Sequence, residues 1–147
     1  MSNGQWHWNY PIMSLNRSSN QWLQDAPASL IKIYNQVQDY FGNFYCVRAV
    51  INGQNRGMDS GIHRDSLNHC DTTYLIYLNP CWEESWGGQT VFFENNEKIH
   101  EEYPEPGKLI SYASDCYHQG LGPSINNILR ISFSIQTSPA KYSVGDL

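Results

Sequence analysis

At 147 residues the chain has the length of one ordinary domain, and such a chain buries about two-thirds of its unfolded surface. It is 40% hydrophobic and only 16% charged, with ten Tyr, five Trp and five Phe. That composition excludes a disordered chain and a coiled coil and suits a β-rich globular domain. The net charge of −5, with nine scattered basic residues, argues against nucleic acid as a partner.

No apolar run approaches the roughly 18 residues of a membrane-spanning helix. The N-terminus, MSNGQWHWNYPIM, has no basic stretch followed by an apolar one, so the expectation is a cytoplasmic protein. Cys46, Cys70, Cys81 and Cys116 form no CxxC pair and read as small core residues rather than zinc ligands.

In chain order, residues 1–24 have no steady period and begin with an extended segment around Trp6–Ile12 that covers part of a sheet. Asp25-Ala-Pro reads as a helix entry with a capping side chain and a proline in the first turn. Leu30, Ile33, Tyr34, Val37, Tyr40 and Phe41 then follow helical spacing until Gly42-Asn43, giving a helix over about 26–41 that buttresses a sheet. Strands are expected at Phe44–Ile51, Thr72–Leu78, Gln89–Phe93, Lys108–Tyr112 and Leu129–Ile135, with a weaker one at Ile99–Tyr103. Short strands after one long helix, without βα alternation, imply an antiparallel sandwich or barrel with the helix outside. The β core spans about 44–136, and residues 1–147 read as a single domain. The gaps at 52–62 and 79–88 are long for turns and are expected to line a site.

The chemistry concentrates in histidines. In His63-Arg64-Asp65 an imidazole and a carboxylate sit two residues apart, so on extended backbone they share one side. A third ligand from another strand would complete two His and one carboxylate with open positions, the pattern of non-haem Fe(II) oxygenases. A rival triplet, His69-Cys70-Asp71, abuts the strand beginning at Thr72 and is the weaker candidate. His100 lies in a charged run and His7 in an irregular segment. His118, after the turn Ser114-Asp115 and at the rim of a core strand, is the best third ligand. Arg130 is a lone cation in the apolar run LRISFSI, and alternation puts it on one face with Ser132 and Ser134. A guanidinium there could bind a carboxylate at the closed end of a cavity, with Ser hydroxyls beside it.

The segments AVINGQNRGMDSGIHRDS, TTYLIYLNPCWEESWGGQTVFF, EPGKLISYASDCYHQG and LRISFSI, in this order over about 44–136, resemble the catalytic core of the 2-oxoglutarate/Fe(II) dioxygenases, specifically the prolyl 4-hydroxylase-like branch. The resemblance implies a double-stranded β-helix (jelly-roll) core with an N-terminal buttressing helix. It implies Fe(II) on His63, Asp65 and His118, and 2-oxoglutarate with its distal carboxylate on Arg130 and Tyr77. Gly87-Gly88 matches the glycine pair preceding the next strand. A tyrosine frequent on the early strand falls here at about Ile51. The implied reaction is hydroxylation of a C–H bond, with O2 as co-substrate, succinate and CO2 as products, and ascorbate as a candidate reductant.

The branch further implies a prolyl residue in a peptide or protein as substrate, against the alternatives of a free amino acid or other small molecule. Candidate substrate-facing loops are Asn52–Ile62 and Pro80–Trp86, the latter with Trp82, Glu83, Glu84 and Trp86 as a lid over the iron. A nucleic-acid demethylase would carry a second Arg where this chain has Gln136. From a different class, a non-catalytic β-sandwich binding module would show no iron affinity.

Overall fold

The structure, a computed structural model, describes residues 8–16, 19–22, 26–42 and 44–139. Among these residues nine strands and one α-helix follow in the order β1 (Trp8–Asn16), β2 (Ser19–Trp22), α1 (Ala28–Phe41), β3 (Tyr45–Gln54), β4 (Thr72–Tyr77), β5 (Thr90–Glu94), β6 (Glu97–Glu102), β7 (Leu109–Ala113), β8 (Tyr117–Gly120) and β9 (Arg130–Ser138), with a 3-10 turn at Glu84–Trp86 between β4 and β5. They form two antiparallel sheets, a major one in the order β2-β1-β3-β9-β4-β7 and a minor one in the order β6-β5-β8. This is the double-stranded β-helix expected from the sequence, with a helix against one sheet.

The helix forms where Leu30, Tyr34 and Val37 recur at i, i+4 and i+7, a stripe that becomes its buried face. They pack on Cys46, Ala49, Tyr74, Ile76, Phe133 and Ile135 from the major sheet. Tyr40, counted with the apolar stripe from its spacing, is exposed, while Phe41 lays its ring on Tyr74 at 4.6 Å. The N-terminal cap differs from expectation. Pro27 itself is the boundary residue, in extended conformation and without a side-chain cap, and Asp25 lies outside the described residues. At the other end Gly42 takes φ 73° and donates its N–H to Gln38 O.

The opposite face of the major sheet looks toward the minor sheet, and here the register matters. Arg48 pairs with Gln136, Val50 with Ser134, Asn52 with Ser132 and Gln54 with Arg130; on the far side of β9, Thr73 pairs with Gln136 and Leu75 with Ser134. These cross-strand rows share a face because side chains alternate with period two. A bulge between Cys46 and Arg48 resets the alternation of β3. It leaves Cys46 and Ala49 under the helix while Arg48, Val50, Asn52 and Gln54 line the cavity between the sheets.

Candidate active site

His63 and His118 stand on neighbouring backbones. Each donates its N–H to the carbonyl of the other at 2.9 Å, a reciprocal pair that puts both imidazoles on one side with ring centroids 4.4 Å apart. His118 sits inside β8, rather than at a rim beyond the preceding strand, and is 5% exposed. In each ring Nδ1 contacts the carbonyl two residues earlier, Gly61 O at 2.7 Å and Cys116 O at 2.9 Å. A carbonyl can only accept, so Nδ1 carries the proton in both rings and the Nε2 lone pairs are left available.

Those two Nε2 atoms each lie 3.4 Å from Asp65 Oδ1. The other carboxylate oxygen is occupied by hydroxyls: Thr73 donates to Oδ2 at 2.8 Å, and Tyr112 approaches at 3.4 Å. The backbone is fixed as well, Asp65 N–H donating to Ser114 O at 2.8 Å. Burial alone would raise the Asp65 pKa. When Nε2 is also protonated, hydrogen bonds from His118 and His63, with the hydroxyl of Thr73, outweigh it and hold the carboxyl well below its usual range. The same contact with Asp65 raises His63, against the effect of burial. Tyr112, pushed far up by burial with the Asp65 charge adding to it, stays a neutral phenol donor.

Two imidazole nitrogens and a carboxylate oxygen, all within 4.8 Å of one another, thus converge on one point. For bonds of about 2.1 Å, ligand atoms at roughly 90–110° to each other stand about 3.0–3.4 Å apart. The two His–Asp distances match that spacing. The donor set therefore fits a divalent transition metal with positions left for other ligands.

The cavity beside this point is about 170 Å³ and runs between the sheets to Arg130. Arg130 is 2% exposed, and its short bonds all go to neutral acceptors: Gly88 O (2.7 Å), Gln54 Oε1 (2.7 Å) and Thr90 Oγ1 (2.9 Å). Gln54 is itself oriented, its amide nitrogen donating to Met58 O and Gly120 O at 2.8 Å each. Ser132, 1% exposed, lines the cavity, but its Oγ lies 3.5 Å from Arg130 Nη1, too far for a good bond. Burial lowers the Arg130 pKa, partly offset by Tyr77. No carboxylate is paired with this cation among the described residues, and a buried guanidinium without an anion is costly. The place suits the carboxylate of a bound molecule.

Tyr77 lies beside Arg130. Its side chain is fully buried, its hydroxyl pairs with Thr90 Oγ1 at 2.7 Å, and its ring lies 5.4 Å from the Arg130 guanidinium. It shares Thr90 with Arg130 on the cavity side of β4. Trp82, Glu83, Glu84 and Trp86 do not line the cavity. Trp82 bonds Gly87 O and lies against Gly88, whose carbonyl holds Arg130, so this loop is tied to the Arg130 end of the cavity. Ile51 packs toward α1, and its neighbours Val50 and Asn52 face the cavity. In the rival triplet His69 is exposed and buried Asp71 accepts from Ser66 Oγ, bracing the loop. Thr73, Tyr112, Gln54 and Thr90 were not singled out from sequence. The alternation Thr73, Leu75, Tyr77 along β4 was the available signal for the first.

A double-stranded β-helix with two imidazoles, a carboxylate and a buried arginine around one cavity defines a class of metal-dependent oxygenases. The chain belongs to the 2OG-Fe(II) oxygenase superfamily, whose family model matches residues 47–135. Fe(II) and 2-oxoglutarate are the cofactors of that family. No curated protein sequence matches the chain.

Among solved structures the fold is similar to a prolyl hydroxylase from Trichoplax adhaerens in complex with a hypoxia inducible factor oxygen degradation domain peptide fragment (TM-score 0.68, 17% identity, 95% of this chain and 66% of the other). It is also similar to a Pseudomonas putida prolyl-4-hydroxylase (0.64, 16%, 92% and 73%) and to a viral collagen prolyl hydroxylase of Paramecium Bursaria Chlorella virus-1 (0.61, 14%, 90% and 78%). The chain spans just under two-thirds of the first of these structures.

Proposed function

We propose that this protein hydroxylates a prolyl residue of a peptide or protein, with Fe(II) held by His63, Asp65 and His118 and the distal carboxylate of 2-oxoglutarate held by Arg130. The observation that carries the cofactor reading is the pairing of an anion-less buried guanidinium with a metal-ready donor set in one cavity. The prolyl reading is supported by the three prolyl hydroxylases among the similar structures, one of them with a peptide bound.

The iron and cosubstrate, with O2, supply oxidation of a C–H bond to an alcohol coupled to conversion of 2-oxoglutarate to succinate and CO2. The chain supplies positioning. Gly61 and Cys116 carbonyls fix the imidazole tautomers, Thr73 and Tyr112 keep one carboxylate oxygen turned away from the metal point, and Gln54, Thr90 and Gly88 aim the guanidinium. Phe92, whose ring stands edge-on to Tyr112 at 5.0 Å, adds an apolar wall beside His118 and limits water there. Ascorbate fits the scheme as a reductant that restores ferrous iron.

Anaerobic addition of Fe(II) and then 2-oxoglutarate should produce a weak visible charge-transfer band. Its absence in folded protein removes the oxygenase reading and favours a binding module. Succinate release should rise with proline-containing peptides. A response only to free amino acids or other small molecules would keep the cofactor chemistry and overturn the peptidyl-prolyl assignment.

A further inference from the structure

Arg130 closes the inner end of the cavity, but it is not the only arginine on that wall. Arg48 stands on the cavity face of β3, in one cross-strand row with Gln136 and Thr73, and Thr73 donates to Asp65. That row is level with the metal point. The row of Gln54 and Arg130 lies six residues further along, roughly 20 Å of strand. The two guanidiniums therefore start from opposite ends of one wall.

Arg48 is exposed and has no ion-pair partner among the described residues. Its hydrogen bond runs to a neutral group, Nη2 to Asn9 Oδ1 at 3.1 Å, and Asn9 Nδ2 donates in turn to Asn52 Oδ1 at 2.9 Å. Asn9, Asn52 and Gln136 all line the cavity, and the cation is held there by the amide of Asn9. The acidic lining residue is Asp65, already engaged by both histidines and Thr73. A chain of net charge −5 thus presents a positive group beside the reacting point, which attracts anions and repels cations.

We propose that Arg48 binds a carboxylate of the substrate next to the carbon that is hydroxylated, so that the substrate is an acidic or carboxyl-terminal prolyl segment rather than a neutral or basic one. This rests on the functional reading above. The carboxylate belongs either to a chain terminus or to an acidic side chain, and both present the same planar pair of oxygens to the guanidinium.

The probes are one short proline peptide in three forms: C-terminal amide, free C-terminal acid, and amide with Glu beside the proline. Each is added to the protein with Fe(II) and 2-oxoglutarate, and both the change in the charge-transfer band and succinate release are followed. A carboxylate-bearing form should be preferred by about tenfold or more. The terminal acid or the Glu peptide, whichever wins, identifies the source. Arg48→Gln should abolish that preference by raising KM for the favoured probe, and Arg48→Lys should restore part of it. The affinity for 2-oxoglutarate, read from the band before any peptide is added, should stay as in the parent protein.

Equal response to all three forms, or none to any, overturns the proposal while the band still stands. A loss of 2-oxoglutarate affinity in Arg48→Gln overturns it too, by moving Arg48 to the cosubstrate. Absence of the band in the parent protein instead sinks the oxygenase reading itself.

Discussion

Of the two hydroxyls that face Asp65 Oδ2, that of Thr73 is the closer and does most to set how the carboxylate is presented. With Thr73 donating to Oδ2, the carboxylate cannot easily rotate, and Oδ1 stays on the side of the two imidazoles. Thr73→Val keeps the shape and removes the donor. The change also removes the bond to buried Ser114 Oγ at 2.8 Å, so the thermal midpoint should fall modestly, but iron affinity should fall by about 10–100-fold, measurable by competition with a chelator. A loss of folding without a specific loss of iron would contradict this. Gly88 plays the matching role at the other end. It has φ +74°, and a Cβ there would meet Trp82 Cζ2 at 2.7 Å and Arg130 Cδ at 3.4 Å. Gly88→Ala is strained in both backbone and space, so it should displace Arg130 and weaken 2-oxoglutarate binding at least as much as it destabilises the fold. Unchanged cosubstrate affinity in the titration would show that Arg130 does not depend on the Gly88 carbonyl.

At the scale of elements, the core between α1 and the major sheet carries most of the burial. Phe133 is fully buried there, and Phe133→Ala should cost about 3–5 kcal/mol in urea denaturation. Cys46 gives the same core a pH signature. Burial pushes its thiol up from 9.0 to about 12. Above pH 9 the unfolded chain loses this proton while the folded one keeps it, so the folded state binds more protons and stability falls as pH rises toward 12. The slope reaches at most about 1.4 kcal/mol per pH unit for one group. Cys46→Ala should flatten it between pH 9 and 10, before unfolded tyrosines ionise, and an unaltered slope would assign the effect elsewhere.

The same elements show what one-dimensional pattern can carry. The helix and the strands at 72, 90, 109 and 130 were legible because apolar residues recur with the right period over a full element. The strand Tyr117–Gly120 was not, since YHQG has only one residue on each face that speaks for a strand, and its pairing with Thr90–Phe93 comes from across the fold. The His63–Asp65 spacing and the isolated Arg130 were legible because a charge or ligand in an unusual place is a local signal. The tie of the Pro80–Trp86 loop to the Arg130 end was not. Its position depends on Trp82 finding Gly87 and Gly88, a contact that sequence distance does not orient.

Across the whole molecule, the two sheets are pinned at both ends of the cavity. At the inner end Arg130 of β9 reaches Thr90 of β5 and Gln54 of β3 reaches Gly120 of β8; at the metal end Thr73 of β4 holds Asp65, whose segment is bridged to β8 through His63. Whatever binds inside therefore ties the major sheet to the minor one and stabilises the fold by mass action. At a hundred times its dissociation constant, each ligand adds about 2.7 kcal/mol, worth roughly 5–10 °C in a domain of this size. Under anaerobic conditions Fe(II) should raise the midpoint once, and 2-oxoglutarate added after it should raise it again. The two increments separate the residues. In Arg130→Ala the iron increment should survive and the 2-oxoglutarate increment should shrink, because the inner carboxylate site is gone. In Asp65→Ala the iron increment should go, together with whatever part of the second depends on the metal. If Arg130→Ala instead lost both, the two ends of the cavity would be one cooperative unit, and the separate assignment of metal and carboxylate sites would fail.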